Sequence, residues 1–186
     1  MLPQHMYNFD LMCLYSNSAS VRESAVYRGQ GRGARLEPGL NKMLVEEPGG
    51  GLAIQPAIQQ LLPTVHGLVF AVDTTLESEG EEGGLVEAAV RELQIMLDSQ
   101  AKFTVAGAEL PLLVLACRNS TTPRYLPLPR LVTGLAGLIR PQPRSWAAFE
   151  VCCDNMRGVE RGLDWVLHHL AKRRREWKYH SKQGQN

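Results

Sequence analysis

Few residues in this 186-residue chain are spaced for chemistry, and each group that is has a plainer explanation beside it. The run Gly29-Gln30-Gly31-Arg32-Gly33 has the glycine content of a phosphate cradle, in which backbone N–H groups close around an anion. Such a loop must leave a strand and open a helix, and this one is expected to do neither, so it reads as surface. His168 and His169 adjoin on a helical stretch and face different directions, so they make no ligand pair. Cys13, Cys117, Cys152 and Cys153 show no C-x-x-C spacing and no histidine at metal-ligand distance. Three of them lie in apolar runs and are expected as buried thiols, and a vicinal 152–153 disulfide would be strained. Asp10, Asp73 and Asp164 fit strand ends or a helix surface, and no Ser-His-Asp or paired-carboxylate arrangement has support. Catalytic residues, metal and cofactor are therefore all expected to be absent. The KRRR run at 172–175 fits a nuclear signal or a nucleic-acid contact, but cations closing a helix that suits their charge is the preferred reading.

The bulk properties agree. A net charge of +1 argues against a domain built around nucleic acid. At 44% apolar residues the chain can bury a core, yet no stretch approaches the roughly 18 uninterrupted apolar residues of a membrane span. Residues 1–7 lack the basic-then-apolar layout of a signal peptide, so cytoplasm is the expected address, with the nucleus second.

Four short apolar runs must supply the frame: residues 8–15, 67–73, 110–117 and 147–153. Unbroken apolarity, without strict alternation, is what parallel strands covered on both faces require. Helical periodicity falls between them. Residues 85–98 place Leu85, Val86, Ala89, Val90, Leu93, Met96 and Leu97 on one stripe. Residues 130–139 and 159–174 read likewise, the second with Leu163, Val166, Leu167 and Leu170 facing in, and 54–62 is a shorter helix ended by Pro63. The pattern predicts an α/β fold in three layers, a mainly parallel sheet with helices on both faces. Residues 28–52, with a helical piece at 40–46, are expected as a flexible glycine-rich loop. Residues 77–84 (ESEGEEGG) are expected as an acidic loop, and 179–186 as a disordered tail after a single domain over 7–178.

Three segments resemble the Arf branch of small GTPases: residues 54–73 (IQPAIQQLLPTVHGLVFAVD), 111–116 (PLLVLA) and 152–166 (CCDNMRGVERGLDWV). The resemblance implies a degenerate small-GTPase-like topology of the P-loop NTPase class. Scaffold does not imply activity, so each nucleotide contact needs its own residue. A P-loop needs two glycines, a lysine and a hydroxyl. The matching stretch, 15–22 (YSNSASVR), puts Tyr15 and Ser20 at the glycines and Val21 at the lysine, with Arg22 next to it. Where the second switch would carry its catalytic glutamine stands Gly51, in the run Glu47-Pro48-Gly49-Gly50-Gly51. The base-reading carboxylate of N-K-x-D is matched by Ser120 in Cys117-Arg118-Asn119-Ser120, and a hydroxyl cannot accept two hydrogen bonds as a carboxylate does. In the last loop Cys153-Asp154 replaces small residues that would cradle the base. Only 26 positions separate Val21 from Glu47, so the edge hairpin is expected to be shortened or missing. The expectation is a fold without nucleotide and without enzymatic activity.

Closer still, the chain resembles the C-terminal, nucleotide-free GTPase-like domain of the F-box-only proteins of the fourth type. The shared stretches are 7–16 (YNFDLMCLYS), 41–43 (NKM), 67–71 (GLVFA), 111–117 (PLLVLAC), Trp146 and 162–167 (GLDWVL). This resemblance implies a substrate-recognition module of an SCF-type ubiquitin ligase, with a protein substrate such as a telomere-repeat-binding factor. With six residues before the first match, no F-box is expected in this chain, so a Skp-type adaptor would be reached only through a missing upstream segment. The family's recognition segment corresponds here to residues 127–138 and implies Leu128, Leu131 and Val132 as the protein-binding residues. Core packing competes with that role at Leu131, Leu135 and Leu138. An unpaired strand beside the lost hairpin is a second expected surface, open to strand addition. The alternatives are a pseudo-GTPase adaptor in an unrelated pathway such as trafficking, and a divergent Arf-like GTPase.

Overall fold

The computed structural model describes residues 11–16, 24–27, 44–46, 48, 51–76, 80–103, 110–139 and 144–183. For residues 11–16, 24–27, 46, 103 and 174–183 only the backbone course is described. The apolar runs are strands, as their composition predicts: β1 (Leu11–Ser16), β5 (Gly67–Asp73), β6 (Leu112–Arg118) and β7 (Trp146–Cys152) lie side by side and parallel. The short β2 (Ser24–Tyr27) pairs antiparallel with β1, giving the sheet order β2-β1-β5-β6-β7. A separate two-stranded hairpin joins β3 (Leu44–Glu46) to β4 (Leu52–Ile54). The connections are α1 (Pro56–Leu61) with a single 3-10 turn after it, α2 (Glu82–Phe103), α3 (Leu128–Ile139) and α4 (Val159–Gln183). From β5 onward, strand and helix alternate, the signature of a parallel α/β sheet.

The core has two parts because strand side chains alternate between faces. On one face Leu68, Phe70, Val72, Leu112, Val114 and Ala116 meet Ala89, Leu93 and Met96 of α2 and Leu131, Leu135 and Ile139 of α3. On the other, Val69, Leu113, Leu115, Cys117 and Val151 meet Val166 and Leu170 of α4. Two glycines set how closely the helices approach. A Cβ on Gly134 would stand 2.3 Å from a methyl of Val86, so its absence brings α3 against α2. A Cβ on Gly162 would sit 3.2 Å from the side chains of Leu113 and Leu115, which places α4 low on β6.

Several boundaries differ from expectation for identifiable reasons. Residues 44–46 are strand and not part of a helix, because Leu44 is buried against the main core while the segment pairs with β4. Thus the expected flexible loop over 28–52 contains β3 and the first residue of β4, and its other residues, Pro48 and Gly51 apart, lie outside the described residues. Ile54 belongs to β4, leaving Pro56 to open α1 at a first-turn position that needs no N–H. Helix α2 begins at Glu82, within the expected acidic loop, where that carboxylate favours a helix N-terminus and pairs with Arg130 of α3 at 3.0 Å. Residues 77–79 lie outside the description. Helix α4 continues to Gln183, past the expected start of the tail at 179. Leu163 and Leu167, expected inward, are exposed, since Val166 and Leu170, with Val159 and Trp165 beside them, fill the seam with β6 and β7. Of the cysteines only Cys117 is buried among those described; Cys152 is half-buried and Cys153 exposed, all three as free thiols, with no 152–153 disulfide. The side chain of Cys13 and all of Asp10 lie outside the description.

Candidate functional site

Parallel α/β sheets take their ligands at the carboxyl ends of the strands, where loops diverge. Here those ends are tied to one another. At the end of β5, Thr74 donates both its N–H (2.9 Å) and its hydroxyl (2.8 Å) to the carbonyl of Cys117 at the end of β6. Its own carbonyl accepts from the N–H of Leu126 at 2.7 Å, which holds the β6–α3 loop down over β5. Asp73 accepts from the N–H of Thr75 at 3.0 Å and so serves a turn. At the end of β6 the carbonyl of Arg118 accepts from the N–H of Cys153 at 2.8 Å.

The residues standing where a guanine would be read are engaged with each other. Both the N–H and the hydroxyl of Ser120 donate to one carboxylate oxygen of Asp154, each at 2.5 Å. These two bonds, the hydroxyl's first, hold the Asp154 carboxyl below the usual carboxylate range. Arg118 pairs with Glu150 of β7 at 2.5 Å and lies 4.4 Å over the Tyr125 ring. Cys117 donates to the carbonyl of Leu115 at 3.6 Å, and burial, with Cys153 beside it, pushes its thiol up to about 12. Burial also raises the Cys153 thiol, which shares a hydrogen bond with Cys117. A protonated thiol is a poor nucleophile and a poor ligand. At these strand ends the polar groups therefore satisfy one another, and the described residues hold no His/Cys/Asp/Glu group able to take a metal. His169 turns its Nδ1 to the Trp165 carbonyl at 2.9 Å and packs tilted on that indole, while the His168 ring stands edge-on to that of His169 with centroids 5.7 Å apart. Of the P-loop stretch, Tyr15 and Ser16 continue β1, and 17–22 lie outside the description, as do Glu47, Gly49 and Gly50.

The three expected protein-binding residues separate. Leu131 is fully buried between α3 and the sheet, so it cannot meet a partner without unpacking the helix. Leu128 opens α3 half-buried and leans on the same core. Val132 is half-exposed. Gly134 faces α2, and Val132, two residues away and so about 200° around the helix, turns from α2 towards the β7 side of the sheet.

That side ends in a strand edge the sequence does not announce. The printed register and two end bonds fix which backbone groups point outward. Leu112 donates to Ser145 at 3.0 Å and Cys153 donates to Arg118 at 2.8 Å, so residues 145, 147, 149, 151 and 153 face β6. Residues 146, 148, 150 and 152 therefore turn their N–H and C=O away from the sheet. The N–H of Cys152 is capped by the Arg157 carbonyl at 3.0 Å, and Gly158 covers the Glu150 carbonyl, since a Cβ there would stand 2.2 Å from it. For the outward groups of Trp146 and Ala148 and the N–H of Glu150, no partner exists among the described residues. Trp146, Ala147, Ala148 and Phe149 are all half-buried, and Arg161 lies 5.9 Å over the Phe149 ring. The opposite edge, where an unpaired strand was expected, is instead covered by β2 along β1.

No family model matches the chain. No helix among the described residues is long and apolar enough to cross a membrane.

Proposed function

We propose that this chain is a protein-recognition module on a degenerate small-GTPase-like scaffold, acting without nucleotide and without chemistry of its own. The observation that carries the reading is the outer edge of β7: five outward backbone groups and a half-buried apolar strand, bordered by Val132 of α3. An extended segment of a partner laid along it would gain main-chain hydrogen bonds and cover Trp146 and Phe149. The mutual engagement of Ser120 and Asp154 supports the same reading, because the residue at the guanine-reading position is a serine already committed to Asp154.

The resemblance to F-box-only proteins gives the module its setting: substrate capture for an SCF-type ubiquitin ligase in the cytoplasm, with a telomere-repeat-binding factor as the first substrate to try. Of the residues that resemblance implies, Val132 and the exposed part of Leu128 belong to the surface, and Leu131 acts only as the packing beneath them. Calorimetry between the purified chain and a telomere-repeat-binding factor, repeated with Val132→Arg and Ala148→Pro, tests the assignment. Binding that both variants weaken supports it. Binding indifferent to both, or a stoichiometric guanine nucleotide held by the chain with Mg²⁺, sinks it.

A further inference from the structure

A strand added to β7 would turn its side chains alternately to the two faces of the sheet, and those faces differ in chemistry. Trp146 and Ala148 belong to the face covered by α2 and α3, where they pack against the larger core on the side to which Val132 turns. Ala147 and Phe149 belong to the α4 face, where Phe149 packs against the smaller core. Over Phe149 stands Arg161, in the first turn of α4, with its guanidinium carbon 5.9 Å from the ring centroid. Arg161 is exposed and forms no ion pair among the described residues, its helix neighbours Glu160 and Asp164 included. The Glu150 carboxylate is held by Arg118 on the opposite face of the strand. One flank of the edge is therefore apolar, and the charged group set against the strand on the other flank is a cation.

We infer that the segment received here carries an acidic side chain beside Phe149 and apolar side chains at the alternate positions, an inference that rests on β7 being the docking strand. A neighbouring strand runs about 5 Å outside its partner, so the residue next to Phe149 projects alongside the ring that Arg161 overlies. The direction of the added strand does not matter, because residues paired across a sheet share a face. Charge selects the residue type. Covering Phe149 strips water from the guanidinium, which must then find an acceptor or lose solvation. A carboxylate supplies charge-assisted bonds in the planar geometry that arginine offers. A neutral side chain leaves that charge less well compensated, and a lysine would set like charges together. On the other face Trp146, Ala148 and Val132 present apolar surface, which the alternate residues must match to gain from covering it.

Strand-length peptides of about eight residues, with valine at alternate positions and glutamate, glutamine or lysine between, test this by titration into the intact chain at low salt. The glutamate peptide should bind about threefold more tightly than the glutamine peptide and about tenfold more tightly than the lysine peptide, the range of a partly exposed ion pair and its reversal. In Arg161→Glu the order of the glutamate and lysine peptides should invert, a gain for lysine that an unfolded variant could not show. Ala148→Pro should remove the binding of all of them. Equal affinities, or an order unmoved by Arg161→Glu, overturn the acidic assignment, and if Ala148→Pro still abolishes binding the β7 reading stands. Charge-ordered binding that survives Ala148→Pro puts the peptides elsewhere and removes both. A glutamate peptide that fails to bind below about 1 mM also overturns the assignment.

Discussion

Two neighbouring proline substitutions on β7 should behave in opposite ways. Ala147 turns its N–H towards β6, where the carbonyl of Leu112 accepts it; Ala148 turns its N–H outward, where nothing among the described residues accepts it. Ala147→Pro removes a ladder bond and leaves the carbonyl of fully buried Leu112 without its donor. An orphaned buried acceptor costs about 1–3 kcal/mol, and the ring pushing on β6 adds to it, for roughly 2–4 kcal/mol in all. In a chain of this size that lowers Tm by about 5–12 °C. Ala148→Pro loses no ladder bond, and its residue before proline is already extended. Its cost should stay below about 1 kcal/mol, part of it offset by the stiffer unfolded chain. The same ring blocks the outward edge, so affinity for any strand-adding partner should fall at least about tenfold, or 1.4 kcal/mol. Thermal denaturation of the two variants, with partner binding measured on Ala148→Pro, reads both effects. Equal destabilisation by the two prolines would refute the outward assignment of residues 146, 148 and 150, and the edge would lose its claim to be a docking site.

Other outcomes follow from single contacts. Gly158 has a φ of 97° and faces the Glu150 carbonyl, so Gly158→Ala should cost about 2–4 kcal/mol in chemical denaturation, through both left-handed strain and a backbone clash. Leu131→Ala should cost about 2–5 kcal/mol as a buried truncation, whereas Val132→Ala, half-exposed on the same helix, should cost less than about 1 kcal/mol. The Asp154 carboxyl, lowered from 3.8 by Ser120, should titrate below that value by NMR and return towards it in Ser120→Ala. Because the folded pKa is the lower one, the contribution of this bond is present above the unfolded value and is lost as pH falls through the folded value. Cys117, with its thiol near 12, should resist alkylation at pH 8 in the folded chain and react on unfolding.

Much of the sheet could be read from composition. Residues 67–73 are a strand with the expected bounds, because five apolar residues between a glycine and an aspartate leave little choice. Helices α2, α3 and α4 announced themselves through periodicity, and their ends moved for local reasons, such as a carboxylate at an N-terminus. What periodicity could not resolve was which flank of an amphipathic stripe is covered. Leu163 and Leu167 have the same residue type and nearly the same spacing as Val166 and Leu170, and only the position of the sheet decides between them. At Leu131 periodicity left core packing and partner contact both open, and only the helix laid on the sheet shows it buried. The β7 edge was illegible for a deeper one. Residues 146–149 (WAAF) have the apolarity of an interior strand, and whether a strand has one neighbour or two is a property of the whole sheet order.

The strand ends and the strand edge are two halves of one argument about unsatisfied polar groups. In a parallel sheet backbone groups remain unpaired in two places: where strands stop, and along the outer strands. Ligand-binding members of such architectures leave the first kind open for a small molecule. In this chain the described strand ends are closed by their own neighbours, Thr74 to Cys117, Cys153 to Arg118 and Ser120 to Asp154. At one edge the short β2 covers β1 and is itself the outer strand, while at the other the loop after β7 caps only its last residues, through Arg157 and Gly158. On β7, Trp146, Ala148 and the Glu150 N–H remain without a partner among the described residues. No proline interrupts that stretch, and its one charged residue, Glu150, is already paired with Arg118, so the usual defences of an edge strand are missing. An undefended edge beside closed strand ends is the combination on which the proposed docking of a protein segment rests.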